Sequence, residues 1–148
     1  MKLAELRTKK SKPAPRDLSA YDRGLYYEDV VCRWLKKQGY RILDRNYRAR
    51  KKSELDIVAK DRNTLVFIEV KARRKQSLFS PLRSIDERKR NALSVACETY
   101  LQELQATGVD TDDLSVRYDV VTLSFDEEGE PVSIDHYISY LVMNRENL

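Results

Sequence analysis

Acidic and basic residues interrupt two apolar segments of the chain, 55–59 and 65–70. Asp56 lies in the first segment, Glu69 ends an apolar run in the second, and Lys71 follows two residues later. Packing alone would place apolar side chains at these positions. Two carboxylates beside a lysine can hold a divalent cation and stabilise charge on a phosphate. The spacing therefore favours metal-dependent phosphodiester hydrolysis, although this loose pattern also fits a structural ion-pair cluster.

The two segments are predicted to form a β-hairpin whose register brings the acids together. If 61–64 is a four-residue loop, Lys60 pairs with Leu65, and counting back places Asp56 directly opposite Glu69. A slip of one residue would place the two acids on opposite faces of the sheet.

Opposed carboxylates repel each other, so at least one of their pKa values should rise unless a cation lies between them. Mg²⁺ or Mn²⁺ would relieve this repulsion, with Asp56 and Glu69 as ligands. Lys71 shares their face and could hold the attacking water as hydroxide or neutralise charge on the phosphate. Glu54 also shares this face by alternation, near Lys71, and is a candidate accessory acid.

A helix predicted from Ser19 to Gln38 supplies a further acid. Ser19 with Asp22 resembles a capping box, and Gly39 is placed to end the helix. Glu28 falls inside the apolar stripe formed by Leu25, Val31, Cys32 and Leu35. A buried acid needs a cation, a metal or hydrogen-bond donors. Glu28 is therefore a candidate catalytic acid and metal ligand, with a structural ion pair as the alternative.

The other elements are predicted from periodicity and turn residues. A helix should start at the capping box Ser84-Ile85-Asp86-Glu87 and end near Gln105. Strands are predicted at 40–47, 54–60, 65–72, 116–125 and 132–138, with a basic loop after residue 47 and a terminal turn at 140–143. The order αβββαββ predicts an α/β domain, a sheet flanked by helices, over residues 19–148.

Charge is distributed unevenly along the chain. Residues 1–97 hold 26 Lys/Arg against 12 Asp/Glu, whereas residues 98–148 hold 2 against 12. A basic region favours a polyanionic partner through phosphate neutralisation and counterion release. Residues 1–18 read as a flexible basic tail. The candidate nucleic-acid contacts are Arg48, Lys51, Lys52, Arg73, Arg74 and Lys89, of which Lys89 also fits a lysine at the edge of the core.

Several classes of protein are disfavoured by composition. The first residues lack the apolar region of a signal peptide, and no segment approaches the length of a membrane span, so we expect a cytoplasmic protein that does not contact membranes. Cys32 and Cys97 lie in apolar helical patterns and are expected to be buried thiols. No Cys/His spacing suggests zinc, and His136 is expected to be structural.

The motifs of this chain resemble those of the bacterial YraN family. They occur in the family's order: Gly24-x-x-x-Glu28, Trp34-Leu35 with Gly39, Asn46, Glu54-x-Asp56, Phe67-x-Glu69-Val70-Lys71, Lys89, and Arg117-Tyr118-Asp119-Val120-Val121. The resemblance implies a restriction-endonuclease-like fold with a PD-(D/E)xK site, distantly similar to archaeal Holliday junction resolvases. It implies that Asp56 and Glu69 bind metal, that Lys71 is catalytic and that Glu28 matches the resolvases' helix-borne acid. One departure is Ser53, where the family usually has glycine.

The sequence thus predicts an Mg²⁺- or Mn²⁺-dependent DNA endonuclease. The resolvase similarity suggests branched or junction DNA, and symmetric cutting of a junction would require a homodimer. A DNA-binding or adaptor module that keeps the fold without catalysis is the alternative. RNA as the substrate is a third interpretation. A protein distinguishes RNA from DNA by contacts to the 2′-hydroxyl, and nothing in the sequence identifies residues that would make them.

Overall fold

The computed structural model describes residues 13–50, 53–75 and 86–141. These residues form two α-helices, five β-strands and a short 3₁₀ turn, Pro15–Asp17. In chain order the elements are α1 Ala20–Lys37, β1 Arg41–Arg50, β2 Ser53–Asp61, β3 Thr64–Arg74, α2 Glu87–Ala106, β4 Ser115–Phe125 and β5 Pro131–Leu141.

The five strands form one mixed sheet in the order β1-β2-β3-β4-β5. Only the central pair, β3 and β4, is parallel, because α2 carries the chain back between them. The predicted α/β class and element order are confirmed, and the arrangement is consistent with a restriction-endonuclease-like fold. No described helix is both long and apolar enough to cross a membrane.

The two helices pack on opposite faces of the sheet and define two core layers. Val31 and Leu35 of α1 pack with Ile68 in one layer, whereas Leu93 of α2 packs with Phe67 in the other. Adjacent residues of β3 thus face different layers, as strand alternation requires. The central strands are apolar on both faces for this reason.

Helix α1 begins and ends as its sequence predicts. The Ser19 hydroxyl oxygen accepts a hydrogen bond of 3.1 Å from the Asp22 amide, which satisfies a free N–H group of the first turn. Gly39, just beyond the last turn, has φ of 98°, a conformation that costs glycine little.

The start predicted for helix α2 is wrong. The N-cap is Asp86, whose carboxylate accepts a hydrogen bond of 2.8 Å from the Lys89 amide, and the helix begins at Glu87. Asp caps a helix as well as Ser does. Asp86 reaches the amide of Lys89, three residues later, which is the usual spacing between an N-cap side chain and the amide it binds. Ser84 and Ile85 lie outside the described residues.

Both edge strands are longer than predicted. Strand β1 extends to Arg50, so Arg48 and Arg50 belong to a strand rather than to the predicted loop. They pair with Glu54 and Ser53 of β2, and cross-strand pairing offsets the low strand propensity of a basic run. Lys51 and Lys52 lie outside the described residues. Strand β5 likewise continues to Leu141 through pairing with β4, so the turn predicted to start at 140 is wrong there.

The last residues of the predicted tail contact the domain. The amide of Arg16 donates to the carbonyl of Glu128 at 3.1 Å, and its guanidinium lies 2.8 Å from the Glu128 carboxylate. Gly129 makes this approach possible, because a Cβ there would lie 2.8 Å from the Arg16 nitrogen. Residues 1–12 lie outside the described part of the chain.

The two cysteines are free and buried, as expected. Cys32 belongs to the core layer under α1 and Cys97 to the layer under α2. The sheet lies between the two thiols, so they are not placed to form a disulfide.

Candidate functional site

The predicted hairpin register is confirmed between Lys60–Leu65 and Ile57–Ile68, but the predicted pair of Asp56 with Glu69 is not part of the ladder. Lys60 pairs with Leu65, and the last pair between β2 and β3 is Ile57 with Ile68. The turn is shorter than predicted, two residues instead of four, because the 61 and 64 positions also pair. Beyond Ile57 the carboxylate of Asp56 accepts a hydrogen bond of 2.8 Å from the Val70 amide. A side chain thus replaces the next ladder contact.

A local break in strand alternation accompanies the end of this ladder. Asn46 in β1 has φ of 51°, between the pairs Arg45–Ile57 and Tyr47–Leu55. Ile57 packs under α1, yet Leu55, two residues away, packs under α2. Regular alternation would put both on one face. Asp56 therefore lies at the point where β2 changes the face of its side chains.

Glu54, the candidate accessory acid, lies at the surface of β2. Its side chain is exposed and lies 3.6 Å from the Arg48 guanidinium, and its negative charge adds to the rise in the pKa of Glu28. Ser53, the departure from the family pattern, begins β2 opposite Arg50 and is buried, so the register of the hairpin survives the substitution.

Glu69 is the most highly connected acid of the site. It is 5% exposed. Its Oε1 atom lies 3.5 Å from Nζ of Lys71 and 3.4 Å from Nζ of Lys89. Its Oε2 atom accepts a hydrogen bond of 3.2 Å from the Tyr118 hydroxyl. Lys89 thus reaches from α2 to the same carboxylate as Lys71.

The electrostatics of Asp56 are those expected of paired acids. Burial raises its pKa to about 7, and repulsion from Glu69 acts in the same direction. The hydrogen bond from the Val70 amide opposes the rise, and the charge of Glu28 adds to it. A cation placed between these carboxylates would favour their ionised forms.

Glu28 approaches from α1, half-buried. Burial raises the pKa of Glu28. A hydrogen bond with Asn46 and the nearby positive charge of Arg45 both act to lower it, but burial outweighs them. The ion pair of Arg45 is made with Asp29, at 3.5 Å, rather than with Glu28. The Oε2 atom of Glu28 is buried and has no hydrogen-bond partner among the described residues. An unpaired buried acceptor of this kind is a candidate ligand for water or a cation.

The donor set fits a divalent cation held by few protein ligands. Within the described ranges, no three Asp, Glu, His or Cys side chains converge closely enough to enclose an ion. Mg²⁺, however, is usually bound by one or two carboxylates, with waters and substrate phosphate completing its shell. Asp56 and Glu69 would supply those carboxylates, and Glu28 is placed to hold a water.

Most of the remaining predicted nucleic-acid contacts lie at the surface. Arg73 and Arg74 are exposed at the end of β3, beyond Lys71, and Arg48 is exposed in β1. None of the three is part of the cluster around Glu69.

Two residues of the site carried no role in the sequence analysis. Tyr118 is fully buried in β4 and donates to Glu69, and Asn46 hydrogen-bonds to Glu28. Both belong to the motifs quoted above, but their roles depend on contacts between separate elements. Burial and the adjacent Glu69 raise the pKa of Tyr118, so its phenol remains a hydrogen-bond donor.

A second polar cluster is centred on Asp119, which follows Tyr118 in β4. This buried carboxylate accepts hydrogen bonds from Arg117 at 2.9 Å and from the Ser139 amide at 2.8 Å, and it lies 2.7 Å from Nε2 of His136. Burial alone would raise the pKa of Asp119, but these partners outweigh it and lower the pKa. The contact joins β4 to β5, which gives His136 a structural role; its ring also packs edge-on against Trp34.

Comparison with known proteins assigns the chain to a family. The model of "Uncharacterised protein family UPF0102" matches residues 27–123, which include all four predicted catalytic residues. A UPF0102 protein of Pseudomonas aeruginosa is 36% identical over 117 residues, covering 79% of this chain and 90% of its own length. One from Pelotomaculum thermopropionicum is 37% identical over 74% of this chain and 87% of its own length. One from Desulfosudis oleivorans is 44% identical over 64% of this chain and 72% of its own length. The chain therefore belongs to the UPF0102 family, the YraN family that its motifs resemble.

Proposed function

We propose that this protein is a divalent-metal-dependent endonuclease that hydrolyses phosphodiester bonds in DNA. The observation that carries the proposal is the surroundings of Glu69. A nearly buried carboxylate has two lysine ammonium groups at one oxygen and an acid of raised pKa, Asp56, close by. A perturbed acid and a second carboxylate beside a lysine, where the β2–β3 ladder ends, are more typical of a reactive site than of a structural ion pair.

Each residue has a distinct part in this proposal. Asp56 and Glu69 would hold Mg²⁺ or Mn²⁺, which supplies Lewis acidity toward the phosphate and the attacking water. Lys71, on the strand beside Glu69, is placed to stabilise negative charge as it develops on the phosphate. Glu28 is placed to accept a hydrogen bond from a water through its unpaired Oε2 atom.

The neighbours of Glu69 fix its orientation. The Tyr118 hydroxyl holds one carboxylate oxygen, while Lys71 and Lys89 approach the other. Such orientation before substrate binds lowers the reorganisation needed during reaction. The Asp56 bond to the Val70 amide does the same for the second acid.

DNA is proposed as the substrate because of charge. The exposed Arg48, Arg73 and Arg74 would contact the phosphate backbone, and the basic segment 1–18 would add contacts that do not depend on sequence. Branched DNA is proposed from the resolvase similarity alone, and a homodimer would place two sites on a symmetric junction. The reaction would take place in the cytoplasm.

A DNA-binding module without catalysis is the second candidate, favoured by two observations. Lys71 and Lys89 both lie near Oε1 of Glu69 and already offset its charge. In addition, the described residues offer no group of three metal ligands. A protein that kept the fold only for binding would have little need of a stronger cation site.

The test is a cleavage assay on end-labelled linear duplex, single-stranded, flap and four-way-junction DNA, with a matched RNA. Each is incubated with Mg²⁺, Mn²⁺ or EDTA. We expect metal-dependent cutting by the wild type and none by Glu69→Gln, which keeps the size of the side chain but removes its charge. Glu98→Gln, an exposed residue of α2, is the matched control and should cut normally.

The outcomes separate the two candidates. Cutting that survives in Glu69→Gln would refute the proposed site. Tight, metal-independent DNA binding without cutting by the wild type would favour the binding module. The preferred DNA or RNA would define the substrate class.

A further inference from the structure

A groove separate from the Glu69 cluster lies between the first turns of α1 and the ends of β3 and β4. Its volume is about 350 Å³, and its lining includes Arg23, Gly24, Tyr27, Arg74 and Phe125. A volume of this size accommodates a phosphate with part of a sugar.

The charged side chains that line the groove, Arg23 and Arg74, are both basic. The nearest carboxylates, Glu130 and Asp126, act on the Tyr27 hydroxyl but do not line the groove. Within the described part of the chain, neither guanidinium forms an ion pair with a carboxylate. A guanidinium presents paired donors that match phosphate oxygens. A smaller cavity on the other side of Arg74, about 140 Å³, is lined also by Asp126 and Glu127 and suits an anion less well.

The floor of the groove is apolar and fixed. The rings of Tyr27 and Phe125 stack with centroids 5.0 Å apart and an interplanar angle of 12°. The Tyr27 hydroxyl donates to the carbonyl of Gly129 at 2.7 Å, which holds the ring in place. Above the floor, a Cβ added at Gly24 would have no atom within 4 Å. The space next to Gly24 is therefore free for a ligand.

The groove lies close to the proposed reaction site along two elements. Arg23 precedes Glu28 by five residues in α1, about 7.5 Å along the helix axis. Arg74 follows Glu69 by five residues in β3, about 17 Å along the strand. Glu69 faces the α2 layer, whereas the groove opens on the α1 side. The charge of Glu69 acts on Glu28, so the helix that carries Arg23 also carries an acid within electrostatic range of Glu69. The two elements that hold the arginines of the groove therefore also hold residues of the proposed site.

We propose that this groove binds a backbone phosphate of the nucleic acid that flanks the phosphate at Glu69. Arg23 and Arg74 grip the phosphate oxygens, and the adjoining sugar packs against the Tyr27–Phe125 pair. The identity of the ligand as nucleic acid rests on the proposed function, whereas phosphate binding in the groove does not require catalysis.

The first test measures binding of fluorescently labelled DNA by anisotropy in EDTA, at several salt concentrations. The double variant Arg23→Gln/Arg74→Gln should raise Kd roughly tenfold and reduce the slope of log K against log salt by about one, since one phosphate contact is lost. Arg62→Gln removes one positive charge next to the opposite end of β3 and should bind as the wild type does. Equal losses in both variants, or no loss in the double variant, would overturn the proposal.

A steric test leaves the charges in place. Gly24→Leu should obstruct the groove and weaken DNA binding several-fold, whereas Gly24→Ala should leave binding unchanged because its methyl group meets no atom within 4 Å. Circular dichroism and the midpoint of thermal unfolding would establish that both variants are folded. Wild-type binding by a folded Gly24→Leu protein would count against occupation of the groove.

Cleavage by the same variants separates this proposal from the proposed function. Weaker binding by Arg23→Gln/Arg74→Gln, with no cutting by any protein, would uphold the groove and reject the nuclease. Cutting that depends on Glu69 but is unchanged in the double variant, at DNA concentrations below the wild-type Kd, would uphold the nuclease and reject the groove.

Discussion

The carboxylate of Asp56 accepts a hydrogen bond of 2.8 Å from the backbone amide of Val70. This contact forms one position beyond the last β2–β3 pair, Ile57 with Ile68. The Val70 amide, which regular strand pairing would have satisfied, instead orients the carboxylate of Asp56. Burial there raises the pKa of Asp56 to about 7, and the nearby charge of Glu69 acts in the same direction. The end of the ladder is therefore what brings two carboxylates together.

Asp56 should make the stability of the metal-free protein depend on pH. Its folded pKa of about 7 lies above the ordinary 3.8, so the folded state binds more protons and stability falls as pH rises between these values. In Asp56→Asn this fall should be smaller by a few kcal/mol, since three pKa units correspond to about 4 kcal/mol. Urea unfolding in EDTA at pH 4.5 and pH 8 measures the difference. An identical pH dependence in the two proteins would contradict the raised pKa.

Lys71→Ala should slow cleavage more than it weakens DNA binding. The residue lies beside Glu69, where it would stabilise the transition state, and removal of one such group costs roughly 100- to 1,000-fold in rate. Single-turnover cleavage and anisotropy measure the two effects separately. Lys60→Ala, on β2 and outside the cluster, is the control. Equal losses of rate and affinity would identify Lys71 as a binding residue.

Tyr118→Phe should lower kcat roughly tenfold and leave KM nearly unchanged. The hydroxyl holds Oε2 of Glu69 at 3.2 Å, and its loss frees the carboxylate to reorient. Tyr100→Phe removes a hydroxyl from the same core layer and should keep full activity. A change of KM alone, with kcat intact, would argue against a positioning role.

Asp119→Asn should destabilise the fold by about 3 kcal/mol, because it breaks a buried charge network and leaves Arg117 without its main partner. The pKa of Asp119 is lowered in the folded state, so the wild-type advantage is present above the ordinary pKa of 3.8 and is lost as pH falls through the lower folded value. Thermal unfolding at pH 7 and pH 3 tests this. Equal midpoints at pH 7 would show that the network contributes no stability.

Deletion of residues 1–12 should weaken DNA binding and flatten its salt dependence. This segment holds five Lys/Arg and one Glu. Each phosphate neutralised contributes about 0.9 to the salt slope. The cut is placed before Pro15–Asp17 because Arg16 is bonded to Glu128, so a deletion to residue 18 would also remove contacts of the domain. Anisotropy titrations at 50 and 200 mM salt suffice, and an unaltered slope would exclude the segment from binding.

Local signals in the sequence were sufficient where one element fixes its own geometry. Ser19 and Gly39 bound α1 as predicted, because caps and left-handed turns depend on neighbouring residues. The register of the hairpin followed from counting across its turn, since pairing Lys60 with Leu65 holds whether the turn has two residues or four. Predictions failed where pairing with another element decided the outcome, as for Arg48 and Arg50 in β1.

The sequence by itself determined the order of the elements, the identity of the acids and lysines, and the pairing that brings Asp56 and Glu69 near each other. Only the tertiary structure decided which other groups join them. Strand β2 changes the face of its side chains at Asp56, and Glu54 lies beside Arg48 at the surface. Lys89 and Tyr118 reach Glu69 from elements that are distant along the chain. Periodicity describes the faces of a single strand or helix, whereas such contacts depend on how separate elements pack.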